Sequence, residues 1–274
     1  GMTPKDFQSA LLRRAANIGF PAERLILGGD HLGPVAWQKE PSAQAMEKAR
    51  TLVYDFAAAG YSKIHLDASM PTADDGLLTT ETIAARTVFL CKAAEAGFQD
   101  YQAHCPAAQP PVYVIGSEVP TPGGSGEEDA LSVTKPDALT EMLHIFKQAF
   151  LGAGLSDAWQ RVVAAVVQPG VEFGNDSVHE YVPQEAAALI ETAKKLPGIV
   201  LEGHSTDYQP TACLKNMVAD GIAILKVGPA LTFSAREAVR TCSPTPLLPL
   251  LQAPALRCSR CWMRAQNFGI IWKK

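Results

Sequence analysis

The residues of this chain that can do chemistry stand in short polar stretches directly after apolar runs. They are Gly-Gly-Asp30-His31, Asp67-Ala-Ser69, Gly-Ser-Glu118, Gln168-Pro-Gly-Val-Glu172, Glu202-Gly-His204-Ser205-Thr-Asp207 and Gly228-Pro-Ala. Carboxylates and imidazoles so placed can ligate a metal, move a proton or meet a ligand. The same residue types have plainer uses. Asp67 and Glu118 can cap the helix that follows them, Asp30 and His31 can share a loop hydrogen bond, and His65, inside an apolar run, reads as a satisfied core histidine. His204 is a candidate for metal or ligand, whereas Asp74-Asp75 reads as a solvated charge pair at a helix start. His104, His144 and His179 read as loop or surface residues. Gly123-Gly124-Ser125-Gly126 lacks the GxxxxGK[ST] spacing of a phosphate loop, and no dinucleotide fingerprint follows a strand-like run, so no nucleotide is expected.

The elements that must position these residues are legible from pattern. Pro4 to Ile18 fits an amphipathic helix with Thr3 as N-cap and Pro4 at its first position. Leu25 to Leu27 is a strand run, Ser42 to Ala59 a helix stopped by Gly60, Ile64 to Leu66 a strand, and Thr79 to Ala96 a helix ending at Gly97. Val112 to Ile115, Val162 to Val167, Ile199 to Leu201 and Ile222 to Val227 read as further strands, with helices over 135–151, 183–196 and 210–220. Strands apolar throughout and separated by helices indicate a parallel sheet buried on both faces. Polar residues at nearly every strand end favour a TIM (β/α)8 barrel over a doubly wound sheet, which gathers its site at one crevice. Six strands are accounted for, so two are lacking.

The length of 274 residues suits one α/β domain of barrel size, and 47% hydrophobic with 19% charged residues excludes a disordered or collagen-like chain. The net charge of -4 gives no footprint for nucleic acid, and no apolar run is long enough to span a membrane. Six cysteines and no signal-peptide pattern point to a reducing cytoplasm. Cys258 and Cys261 form a CxxC pair that can grip zinc or cycle redox, but no second pair or histidine cluster lies near it in sequence.

Composition divides the chain into a body over residues 1–239 and a tail over 240–274. The tail holds six basic residues, no acidic one, half of the cysteines and four prolines. Its abrupt change after LTFSAREAV, with no clear period or caps, is what a shift of reading frame produces. It is expected to be irregular.

Six segments together carry a resemblance: LILGGDHLGP, KIHLDASM, VYVIGSEVPTPGG, VVQPGVEFG, EGHSTDY and ILKVGPALTF. They resemble the Z-type subunit of D-tagatose-1,6-bisphosphate aldolase, a family also labelled tagatose-6-phosphate kinase, over Gly1 to about Val239. The resemblance implies a TIM barrel whose first two strands lie upstream of the segment matched here. It also implies a hetero-oligomer with the catalytic Y-type subunit, acting on tagatose, galactitol or amino-sugar breakdown products.

The likeness extends to class II, zinc-dependent aldolases, in which an Asp-His pair at a strand end moves the proton and binds zinc. Asp30 and His31 resemble that pair, which implies His31 as a metal ligand and Asp30 as a vestigial proton carrier. Adjacent strand residues face opposite sides, so both reach one site only where the strand ends. At the next zinc position the class II Gly-Thr-Ala-His-Gly is resembled by Gly170-Val-Glu172-Phe173-Gly174, where phenylalanine cannot ligate and Glu172 can. The third zinc histidine is resembled by His204, displaced by two places in Leu201-Glu-Gly-His204-Ser205. Where those enzymes hold enediolate and phosphate with Asn-Val-Ala-Thr, this chain has Lys226-Val-Gly228-Pro. The implied ligands are thus His31, Glu172 and His204 for a weakly held zinc, with Asp67, Glu118, Ser205, Lys226 and Gly228 toward substrate. Loss of a zinc histidine and of the Asn and Thr contacts implies a subunit that supports the Y-type enzyme. An aldolase in its own right and a tagatose-6-phosphate kinase are the alternatives.

Overall fold

The computed structural model describes residues 2–116, 131–174, 176–242 and 268–272. In chain order the elements are α1 (Pro4–Asn17), β1 (Leu25–Leu32), α2 (Ser42–Ala58), β2 (Lys63–Leu66), α3 (Thr80–His104), β3 (Val112–Ile115), α4 (Pro136–Gly152), α5 (Ser156–Gln160) and β4 (Val162–Val167). There follow β5 (Glu172–Phe173), β6 (Val178–His179), α6 (Pro183–Ala193), β7 (Val200–Gly203), α7 (Thr211–Asp220), β8 (Ile222–Leu225), α8 (Pro229–Cys242) and β9 (Phe268–Trp272). Six of the strands, β1, β2, β3, β4, β7 and β8, alternate with helices and pair in parallel where their pairing is described. This is an α/β fold of the kind found in a partial TIM-like barrel.

Two compact units divide the chain: Gly1–Ser117 with Thr140–Val163 and Asn267–Lys274, and Glu118–Leu139 with Ala164–Gln266. In the first, β2 pairs in parallel with both β1 and β3, and β9 runs antiparallel along the other side of β1. The Tyr113 amide donates to the Arg161 carbonyl at 2.8 Å, tying β3 to the chain entering β4. Helix α1 opens on a reciprocal capping box, Thr3 and Asp6 each satisfying the other's backbone amide, as its sequence requires. Helix α2 buries Ala45, Ala49, Val53 and Phe56 at helical spacing.

Helix α3 runs seven residues beyond the stop expected at Gly97. A side chain at Gly97 would bring Cβ to 2.4 Å from the Tyr54 carbonyl of α2. That glycine serves close helix packing, and a cap is not needed there. Arg161 braces the same unit, donating to Glu95 at 2.7 Å and to the Pro111 carbonyl at 2.7 Å, and lying over the Tyr113 ring at 5.4 Å.

In the second unit β7 pairs in parallel with β4, from Ala164↔Val200 to Val167↔Gly203, and with β8. Ala164, Val167, Leu201 and Ile222 of the strands are buried, as are Ala186, Leu189 and Met217 of α6 and α7. Gly221 ends α7 in the left-handed region at φ 100°, where a residue without Cβ fits. The short helix α5 and the antiparallel hairpin of β5 and β6 carry no strong periodic signal in the sequence. The tail contributes the last turn of α8 and strand β9, while Cys258, Cys261 and the proline-rich stretch lie outside the described residues. Among the described residues no helix is long and apolar enough to cross a membrane.

Candidate functional site

In the first unit the site is a row on β2. Lys63, His65 and Asp67 fall at every second position, so the pleat puts all three on one face, and all are buried. Sequence reasoning passed over Lys63 and set His65 aside. Their period of two, Lys-Ile-His-Leu-Asp, was the signal available.

Strand β1 meets this row through a bulge. Gly29 pairs with Ile64 and Leu32 with Leu66, three steps on β1 against two on β2. His31 takes the distortion at φ 50°, a region that non-glycine residues seldom occupy. Strand β1 therefore extends beyond Leu27 and passes through Asp30 and His31. A bulge, instead of the strand's end, lets two adjacent side chains reach the same row. Asp30 accepts from Lys63 Nζ at 2.6 Å, both side chains 3% exposed. His31 Nδ1 lies 3.0 Å from Asp67 Oδ2.

The tautomers follow from the partners. His65 Nδ1 accepts the His31 amide at 3.3 Å, so Nε2 carries the proton donated to the Gly116 carbonyl at 2.8 Å. His31 donates from Nδ1 to Asp67, which makes Nε2 the basic atom of its ring. This is the carboxylate-oriented imidazole common beside metals. Burial alone would raise the Asp67 carboxyl. The hydrogen bond from His31, the fields of His65 and His31 and the bond from Ser69 outweigh it and hold the group well below the usual carboxylate range. Ser69 Oγ donates to Asp67 Oδ1 at 2.7 Å.

The loop after β2 is pinned. Arg86 of α3 grips Asp75 with both nitrogens, at 2.9 and 2.5 Å, and reaches Ser42 Oγ at 2.6 Å. The Thr72 hydroxyl and amide both donate to Asp75 at 2.7 Å, and Asp74 accepts the Ser42 amide at 2.6 Å. Asp75 was expected to be solvated; its side chain is 10% exposed, because a helix residue eleven positions away turns back onto it. The Arg86 guanidinium holds its carboxyl well below the usual range. The sign follows. A lowered folded value stabilises above the unfolded carboxylate value of about 4 and is lost as pH falls through and below it. Urea midpoints measured from pH 6 to pH 3 should fall, and Asp75→Asn should remove part of that fall. An unchanged slope in the variant would refute the assignment.

In the second unit Glu202 and His204 are fully buried, with Nε2 and Oε1 2.9 Å apart. They form a His-carboxylate pair of metal-ligating type. Glu172, at the start of β5, is buried and its Oε1 accepts the Phe173 amide at 2.8 Å. Phe173 lies 5.5 Å edge-on from Tyr208, Tyr208 lies 6.5 Å from Phe233, and Arg236 stands 5.0 Å over Phe233. An aromatic row thus begins at Phe173, the position that resembles the second zinc histidine of the class II enzymes. Ser205 is buried at φ 53°. The Lys226 amide donates to the Gly203 carbonyl at 2.9 Å, and the Gly228 amide donates to Asp207 at 2.9 Å. Glu118 and the glycine-rich 123–126 lie outside the described residues.

Cys91, Cys105 and Cys213 are free thiols. Burial pushes the Cys91 thiol up to about 12, which leaves it a packing residue without nucleophilic use.

Parallel strands and helices in alternation, with acids and imidazoles at bulges and strand ends, define an α/β protein of the partial TIM-like barrel kind. More narrowly, the chain belongs to the GatZ/KbaZ-like family of D-tagatose-1,6-bisphosphate aldolase subunits, whose model matches residues 1–244. A crystal structure described as a probable tagatose 6 phosphate kinase from Sinorhizobium meliloti is similar with a TM-score of 0.79 and 38% identity. The match covers 98% of this chain and 69% of that one.

Proposed function

We propose that this chain is a supporting, non-catalytic subunit that stabilises and activates a catalytic Y-type tagatose-bisphosphate aldolase in the breakdown of galactitol, tagatose or amino sugars. The observation that carries the reading is the Asp30–Lys63 ion pair, 2.6 Å long and buried. A class II aldolase needs a carboxylate that gives and takes a proton during cleavage. Taking a proton at Asp30 would require breaking up a buried ion pair, which is costly. Phe173 in place of a ligand supports the same reading.

Zinc, if carried, would polarise a substrate carbonyl. Taken unit by unit, the described donors fit weak sites better than a tight one. His31 is oriented by Asp67 in the first unit, while His204, Glu172 and Glu202 supply buried donors in the second. Zinc content by elemental analysis should stay below one ion per chain and fall in His31→Ala or His204→Ala. Full occupancy untouched by both would refute these ligands. Asp67, Ser205 and Lys226 remain the proposed contacts to a sugar phosphate.

The test of the role is cleavage of tagatose 1,6-bisphosphate by the Y-type subunit with and without this chain, together with the native mass of the mixture. A joint complex with raised activity and no cleavage by this chain alone is expected. Cleavage by this chain alone would make it an aldolase in its own right. Phosphate transfer from ATP tests the kinase reading, which no nucleotide loop supports.

A further inference from the structure

We propose that Asp207 is a specificity-determining residue: its carboxylate fills the anion position at the N-terminus of α8, so that this part of the second unit receives uncharged hydroxyl groups and excludes phosphate. The opening of α8 has the donors a phosphate would use, since oriented amides and the helix dipole favour an anion there. Two of these donors are committed to one atom. The amides of Gly228 and Ala230 donate to Asp207 Oδ1 at 2.9 Å each, and Pro229 between them has no N–H to offer.

The carboxylate is held in place by two loops tied together. Thr206 donates to the Lys226 carbonyl from its hydroxyl at 2.8 Å and from its amide at 3.4 Å, and the Lys226 amide donates back to the Gly203 carbonyl at 2.9 Å. Asp207 is 3% exposed. A group fixed beside its donors outcompetes the same chemistry arriving from solution, because no association entropy is lost. A phosphate entering beside it would also meet like charge.

On the same loop Ser205 Oγ is buried and has no hydrogen-bond partner among the described residues. Its backbone is left-handed at φ 53°, and such strain collects at ligand sites. A hydroxyl both donates and accepts, which suits a neutral sugar hydroxyl. The amide of Gly228, a residue that the resemblance places toward substrate, donates to Asp207.

The experiment follows the Gly228 and Ala230 amide resonances of the full, isotope-labelled chain during titration with inorganic phosphate at constant ionic strength. In the unaltered chain the two amides should not respond saturably at millimolar phosphate. In Asp207→Ser they should shift saturably, with affinity raised at least about tenfold, and in Asp207→Asn, which keeps an acceptor oxygen without the charge, by less. Saturable binding at these amides in the unaltered chain would overturn the proposal, as would a folded Asp207→Ser chain that gains nothing. If neither variant folds, the unaltered chain alone decides. Aldolase activity is not read, so failure here is distinct from failure of the supporting-subunit reading.

Discussion

Replacing Lys63 by methionine should cost the fold about 3–5 kcal/mol, the range for removing one partner of a buried ion pair. The change withdraws an ammonium 2.6 Å from a carboxylate that is 2% exposed. Against a total stability of about 5–15 kcal/mol, that loss should show as a large fall in the urea midpoint. The double variant Lys63→Met, Asp30→Leu removes the charge as well, and should recover much of the loss. Recovery in the double variant separates a charge effect from a packing effect. A single variant within about 0.5 kcal/mol of the unaltered chain, the range of ordinary surface changes, would show that the pair is hydrated in solution.

Gly33→Ala should be nearly as damaging, at about 3 kcal/mol or more, the upper end of overpacking costs. The backbone at Gly33 is extended, so conformation is not the obstacle. A Cβ there would lie 1.6 Å from the Asp67 carbonyl, and no rotamer relieves a clash between backbone atoms. The strand exits would have to part, and His31 would lose its alignment with Asp67. Gly76→Ala serves as control, since nothing lies within 4 Å of its Cβ, and should change stability by less than about 0.5 kcal/mol. Equal midpoints for the two variants would mean that the exits of β1 and β2 are looser than described. A change in the His31 ring resonances at fixed pH confined to Gly33→Ala would tie the clash to the site.

The sequence by itself determined the parts that depend on neighbours a few residues away. Thr3, Pro4 and Asp6 specify the start of α1 because a capping box closes within one turn. Ile64 and Leu66 and the apolar runs at 112–115 and 162–167 specify buried strands because a strand shielded on both faces is built mostly from apolar side chains. Six joint segments were enough to place the chain in its aldolase-subunit family.

What only the tertiary structure decided is which distant residues meet. Gly97 has the type of a helix stop, yet the closeness of α2 made it a packing position. Asp75 looks solvated until α3 brings Arg86 against it. Asp30 and His31 share one row through a bulge, and bulges arise from the register between two strands rather than from either strand alone. The pairing of Asp30 with Lys63, and of Asp207 with the first amides of α8, joins residues 33 and about 20 positions apart. No local propensity encodes such a meeting. It is set by which strands lie side by side, and there hydrogen bonding and charge neutralisation in a buried setting decide what each polar residue can do.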